Sequence, residues 1–133
     1  MNKICTSLEQ SKKLIELGVD ASTADMMWDD WRLIDEGWKL NVGYYPEIEQ
    51  DYGRKCYPAW SLTALLGLMP FHIIENNNRF GFYQVKGFNK QGETYRFGYK
   101  TNDNSFLFET SWHNNVIDAA FEMVYWLKEN NKM

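Results

Sequence analysis

From residue 71 to residue 109 apolar side chains recur at every second position, and nothing else in this sequence restricts the fold so strongly. A period of two sends successive side chains to opposite faces of an extended chain. Four runs carry it, at 71–75, 80–88, 93–100 and 105–109. Asn89-Lys90-Gln91-Gly92 separates the second from the third, with Gly92 free to take the positive φ of a tight hairpin. Asn102-Asp103-Asn104 makes the next turn. The third run alternates most cleanly, with Tyr95, Phe97 and Tyr99 on one face and Thr94, Arg96, Gly98 and Lys100 on the other. Turns this short join neighbours antiparallel, so the expected product is a meander with one aromatic face.

An aromatic sheet face needs a cover. Residues 116–129 supply one: Ile117, Ala120, Phe121, Val124 and Leu127 form a helical stripe, widened by Met123 and Trp126. Asn115 stands where an N-cap is needed, and Asp118 sits in a capping-box-like position three residues on. Upstream, Ser7 and Gln10 form an S-x-x-Q capping box, and Gly18 reads as the stop of a first helix. Ser22 or Thr23 can cap a second helix through Met26, Met27, Trp28 and Trp31, although the Trp-rich stretch up to Gly37 also reads as irregular. Residues 38–45 alternate in places, as a strand would, and 46–55 read as loop. A third helix is expected with Pro58 in its first turn or Ser61 as its cap, running through Leu62, Leu65, Leu66 and Met69 to Pro70. The expected class is α+β: an antiparallel sheet of about four strands over residues 71–109, covered by a C-terminal helix, with a helical N-terminal half. At 133 residues, 44% of them hydrophobic, a single domain over 1–133 can build its own core.

Cys5 and Cys56 are too few for a disulfide framework, and buried free thiols are the expectation. The first residues lack an apolar signal core. The longest uncharged run, 57–74, is broken by Pro58, Gly67, Pro70 and His72, short of the ~20 residues of a span. A soluble cytoplasmic protein without a membrane partner is expected. Net charge is −4, which makes duplex nucleic acid an improbable partner. The charge is unevenly spread. Acids dominate 20–51, with Asp25 and Asp29 spaced to share a solvated helical face, whereas 79–100 carries Arg79, Lys86, Lys90, Arg96 and Lys100 against Glu93 alone.

Catalytic and cofactor chemistry have little to stand on. His72 and His113 are the only histidines, and no metal-ligand spacing, Gly-rich phosphate loop or nucleophile elbow occurs. A triple of Cys56, His113 and Asp118 can be assembled only on paper. No catalytic, metal or cofactor residue is therefore assigned, and no cofactor is expected. The candidate binding residues lie elsewhere. Trp112, His113 and Asn114 join a strand end to a helix start, with Trp60 as a further wall for a small-molecule site. Arg79, Lys86 and Arg96 lie on an aromatic hairpin with the composition of a single-strand nucleic-acid platform. Against that platform, the third strand puts its rings and its cations on opposite faces.

Three blocks carry a resemblance: Thr6-Ser7-Leu8-Glu9-Gln10-Ser11-Lys12-Lys13-Leu14 with Thr23-Ala24-Asp25-Met26, then Pro58-Ala59-Trp60-Ser61-Leu62, then Ser111-Trp112-His113-Asn114-Asn115. In these the chain resembles a family of small uncharacterised proteins encoded in gut-bacterial genomes and their prophage-like or mobile elements. The resemblance implies an accessory factor of a mobile element and conveys no activity. The leading expectation is thus a non-enzymatic binding or interaction protein with a protein partner, homo-oligomerisation remaining open. The alternatives are a small enzyme or small-molecule binder with a site near His113, and single-strand nucleic-acid binding by the basic aromatic hairpin.

Overall fold

The computed structural model describes residues 3–32 and 37–133. In chain order the elements are α1 (Leu8–Glu16), a 3-10 turn (Ala21–Thr23), β1 (Met26–Asp30), β2 (Trp38–Val42), α2 (Glu47–Tyr52), β3 (Cys56–Ala59), α3 (Leu62–Gly67), β4 (His72–Glu75), β5 (Asn78–Asn89), β6 (Gly92–Lys100), β7 (Phe106–Glu109) and α4 (Val116–Glu129). They make an α+β fold on two antiparallel sheets, ordered β2-β1-β3 and β4-β5-β6-β7. No helix among the described residues is long and apolar enough to cross a membrane.

The meander and its lid follow the periodicity. Phe82 faces Tyr99 and Gln84 faces Phe97 across the β5–β6 pair, and Gly92 takes φ +114° at the hairpin. Ile73, Phe80, Phe97 and Tyr99 are buried in one cluster with Ile117, Ala120, Met123, Val124 and Leu127 of α4 and with Leu14 and Leu65 of α1 and α3. Each large apolar side chain so buried contributes roughly 1.5–3 kcal/mol. The Tyr99 hydroxyl donates to the Pro70 carbonyl at 2.7 Å, so the ring is buried without an orphaned polar atom. Phe108 stacks on Trp126 with centroids 4.4 Å apart.

Local capping also forms as expected. The Ser7 hydroxyl accepts from the Gln10 amide and the Gln10 side chain accepts from the Ser7 amide. Ser61 caps α3 and Asn115 caps α4. Asp118 departs from its expected role. Its carboxylate accepts from Lys3 Nζ at 2.6 Å and Gln10 Nε2 at 2.9 Å, tying α4 to α1. Burial pushes this carboxyl up, but the hydrogen bonds from Lys3 and Gln10 outweigh it and leave it below its ordinary value.

The helical N-terminal half is not what forms. Met26–Asp30 is the central strand of the three-stranded sheet, where a second helix was expected. The physical reason is burial from both sides. Met26 and Met27 are adjacent and both buried, so the alternation that marks a half-exposed strand is lost. Pro58 lies in β3 rather than in a helix, at the sheet edge where a missing N–H costs no ladder bond. Residues expected as loop make the short helix α2, which ends where Gly53 takes φ +68°. Asp25 and Asp29 share no helical face. Asp25 accepts from the amide and hydroxyl of Ser61, while Asp29 is buried in β1. Asp35 and Glu36 of the acidic stretch lie outside the described residues. Cys5 and Cys56 are free and buried.

Candidate binding surface

The His113 corner is closed by its own hydrogen bonds. The His113 backbone pairs with Tyr95, donating at 3.0 Å and accepting at 2.7 Å, which pins it to the β6 edge. Its Nε2 lies 2.6 Å from Glu122 Oε1, and Glu122 also accepts from the Ser111 amide. Asn114 donates to the Glu93 carbonyl and to Asn89. Asn114, and not its neighbour His113, lines a polar depression with Lys3, Gln91 and Glu93. The paper triple does not assemble, because its members belong to separate networks. Cys56 Sγ lies 3.8 Å from Asp29 Oδ1, Asp118 meets Lys3, and His113 meets Glu122. Burial pushes the Cys56 thiol up to about 11, which leaves it protonated and a poor nucleophile. Trp60 cannot wall a binding site either. It is 0% exposed, and its indole N–H donates to Thr23 in the core.

Asp29 holds the small sheet's polar centre. Arg54 donates to both of its carboxylate oxygens, at 3.0 and 3.1 Å, and the Trp31 indole N–H adds a bond at 2.9 Å. Those bonds from Arg54, against the opposing pull of burial, hold the Asp29 carboxyl below its ordinary value. The Arg54 guanidinium also lies over the Trp31 ring, 4.3 Å from its centroid. Both Asp29 carboxylate oxygens are bonded within the protein, so this network is structural.

The four-stranded sheet turns one face to the helices and leaves the other uncovered. On the uncovered face Tyr83 lies across Gly98, where a Cβ would meet the Tyr83 hydroxyl at 2.5 Å, and Trp112 lies across Gly87. The Tyr83 hydroxyl donates to Glu109, with Arg96 Nη1 3.6 Å from the same carboxylate. Arg96 stacks on Trp112 at 4.6 Å, and Lys100 sits over Tyr83 at 5.0 Å. The sequence expectation about rings and cations thus holds for β6 and fails for the sheet. Tyr83 from β5, Phe106 from β7 and Trp112 bring rings to the face that carries Arg96 and Lys100. Lys86 lies on the opposite face, across from Tyr95 and 3.0 Å from Glu93. Arg79 is exposed at the far end of β5 opposite Ile74, remote in register from Arg96 and Trp112.

A feature that the sequence reading missed lies along β5. That strand is twelve residues long, but β4 pairs with it only from Asn78 to Gly81. The last bond in that lane runs from the Phe82 amide to the Phe71 carbonyl at 2.9 Å. Beyond it two adjoining depressions of about 530 and 350 Å³ share Leu66 and Gln84 and form one groove between α3 and the β5 edge. The legible signal was the mismatch in length between the run at 71–75, stopped by Pro70, and the run at 80–88. No family model matches this chain, and comparison with curated proteins and with solved structures returns no significant match.

Proposed function

We propose that this chain is a non-enzymatic binding domain that receives another protein on its four-stranded half. One observation carries the reading: the groove between α3 and β5 is apolar, open and bordered by unshielded hydrophobic side chains. Phe71 lines it at 89% exposure, and Phe88, 80% exposed, lies further along β5 on the same face as Gln84 and Lys86. Leaving such rings in water forfeits burial energy that a partner would recover. His113 and Cys56, by contrast, are held in structural pairs with Glu122 and Asp29. An accessory factor of a mobile element, the setting implied by the sequence resemblance, would use a domain of this kind.

The test is selection of a random-sequence peptide library against the immobilised protein. Sequences enriched on the wild type and lost on a Phe71→Ser/Phe88→Ser double variant are the expected result. Failure to enrich any sequence above an unrelated control protein overturns the reading.

A second reading is favoured by the uncovered face, where Tyr83, Phe106 and Trp112 share a surface with Arg96 and Lys100, and where Arg96 Nε has no hydrogen-bond partner among the described residues. Rings beside cations suit single-stranded nucleic acid. That binding would weaken with salt, and a flat oligonucleotide titration at low ionic strength ends this alternative.

A further inference from the structure

The two long edges of the β5–β6 hairpin are finished differently. The β6 edge is occupied down to its turn: β7 pairs with Gly98 to Lys100, Thr110 bonds Phe97, His113 bonds Tyr95, and Asn114 caps the Glu93 carbonyl. Among the described residues the β5 edge is occupied only as far as Phe82. Because the Phe82 amide points into the β4 lane, residues at even positions after it point there too, since strand backbones alternate. The amides and carbonyls of Gln84, Lys86 and Phe88 therefore face a lane that the chain itself left at Pro70.

Unpaired backbone groups in a row are a template for one kind of ligand, an extended polypeptide that repeats donors and acceptors at the same spacing. A strand in that lane would lie about 4.8 Å from β5 and send alternate side chains into the groove against Leu62, Leu66 and Val116. Among the described residues Lys86 is the only charged one lining either half of the groove. We infer that the β5 edge from Gln84 to Phe88, with the groove beside α3, binds an extended peptide segment of another protein by strand addition. The segment carries apolar side chains at alternate positions and an acidic one facing Lys86.

A second copy of this chain is the poorer occupant. Overlapping the free edge fully with its own copy sets Lys86 opposite Lys86, and like charges directly opposite oppose pairing. In the unbound protein the same lysine serves as the guard that edge strands commonly carry. Glu93, its present partner, lies at the exposed hairpin end and can yield to a peptide carboxylate.

The inference rests on the protein-binding reading above, and its test separates the two. Peptides enriched from the random library are examined by amide hydrogen exchange on the wild type and by affinity for Lys86→Pro and Lys86→Glu variants. Expected are an alternating apolar pattern with an acidic residue and slowed exchange at Gln84, Lys86 and Phe88. Affinity should fall about tenfold or more in Lys86→Pro, the scale of one or two lost hydrogen bonds. Lys86→Glu should shift selection toward basic peptides. If Lys86→Pro does not fold, the wild-type exchange and the Lys86→Glu selection decide. Peptides that bind without slowing those amides overturn strand addition and leave the protein-binding reading standing. No enriched peptide overturns both. Concentration-dependent dimers that protect the same amides overturn the peptide in favour of a second copy.

Discussion

The two sheets of this protein are held by opposite means. The four-stranded sheet lays Ile73, Phe80, Phe97 and Tyr99 on apolar side chains of α1, α3 and α4. The three-stranded sheet owns a small apolar cluster of Cys5, Met26 and Ala59, and sets a buried carboxylate, Asp29, under Arg54 and Trp31. A sheet that joins a large apolar core can rely on area alone. One whose own apolar cluster is small, with α1 along β3 as its helical neighbour, needs directional bonds to choose its strand partners, the role in which buried ion pairs are best attested.

Substitutions in each sheet break that comparison most directly. Phe97→Ala should cost about 3–5 kcal/mol in urea unfolding, because a fully enclosed ring leaves a cavity among α4 side chains. Asp29→Ala should cost less, about 2 kcal/mol, since Arg54 retains access to water once its partner is gone. An Asp29→Leu/Arg54→Met double variant should lie closer to the wild type than Asp29→Ala does. A double variant as unstable as Asp29→Ala would show that the pair supplies stability rather than strand choice.

pH sharpens the contrast further. Arg54 holds the folded Asp29 carboxyl below its ordinary value, so its stabilisation is present above about pH 3.9 and is lost as pH falls through the lower folded value. Acid unfolding of Asp29→Asn should therefore differ from wild type at neutral pH and converge with it in strong acid. The smallest effect is expected at the hairpin, where Glu93→Gln removes an exposed pairing with Lys86 and should leave the melting temperature unchanged. A clear loss there would mean that this pair organises the β5 edge.

The candidate site was partly legible. Trp112 and Arg96 come together as neighbours on the uncovered face, while Trp60 goes to the core and His113 is sealed against Glu122. A Trp in sequence reads the same whether it packs or projects, because burial is decided by what lies above it. The groove showed in the sequence as no more than a mismatch in run length. It is made where no described strand lies beside Gln84 to Phe88, and a missing neighbour places no residue of its own.

By itself the sequence determined whatever depends on near neighbours in the chain. The strands of the meander, the hairpin at Gly92, the Ser7–Gln10 box and the Asn115 cap form within a few residues of their own signals. Tertiary structure alone decided that Met26–Asp30 is a strand, that Asp29 is buried, and that β5 runs on past its partner. Those outcomes hang on which distant segment lies alongside. A strand covered on both faces loses its period, and an edge is defined only by what fails to pair with it.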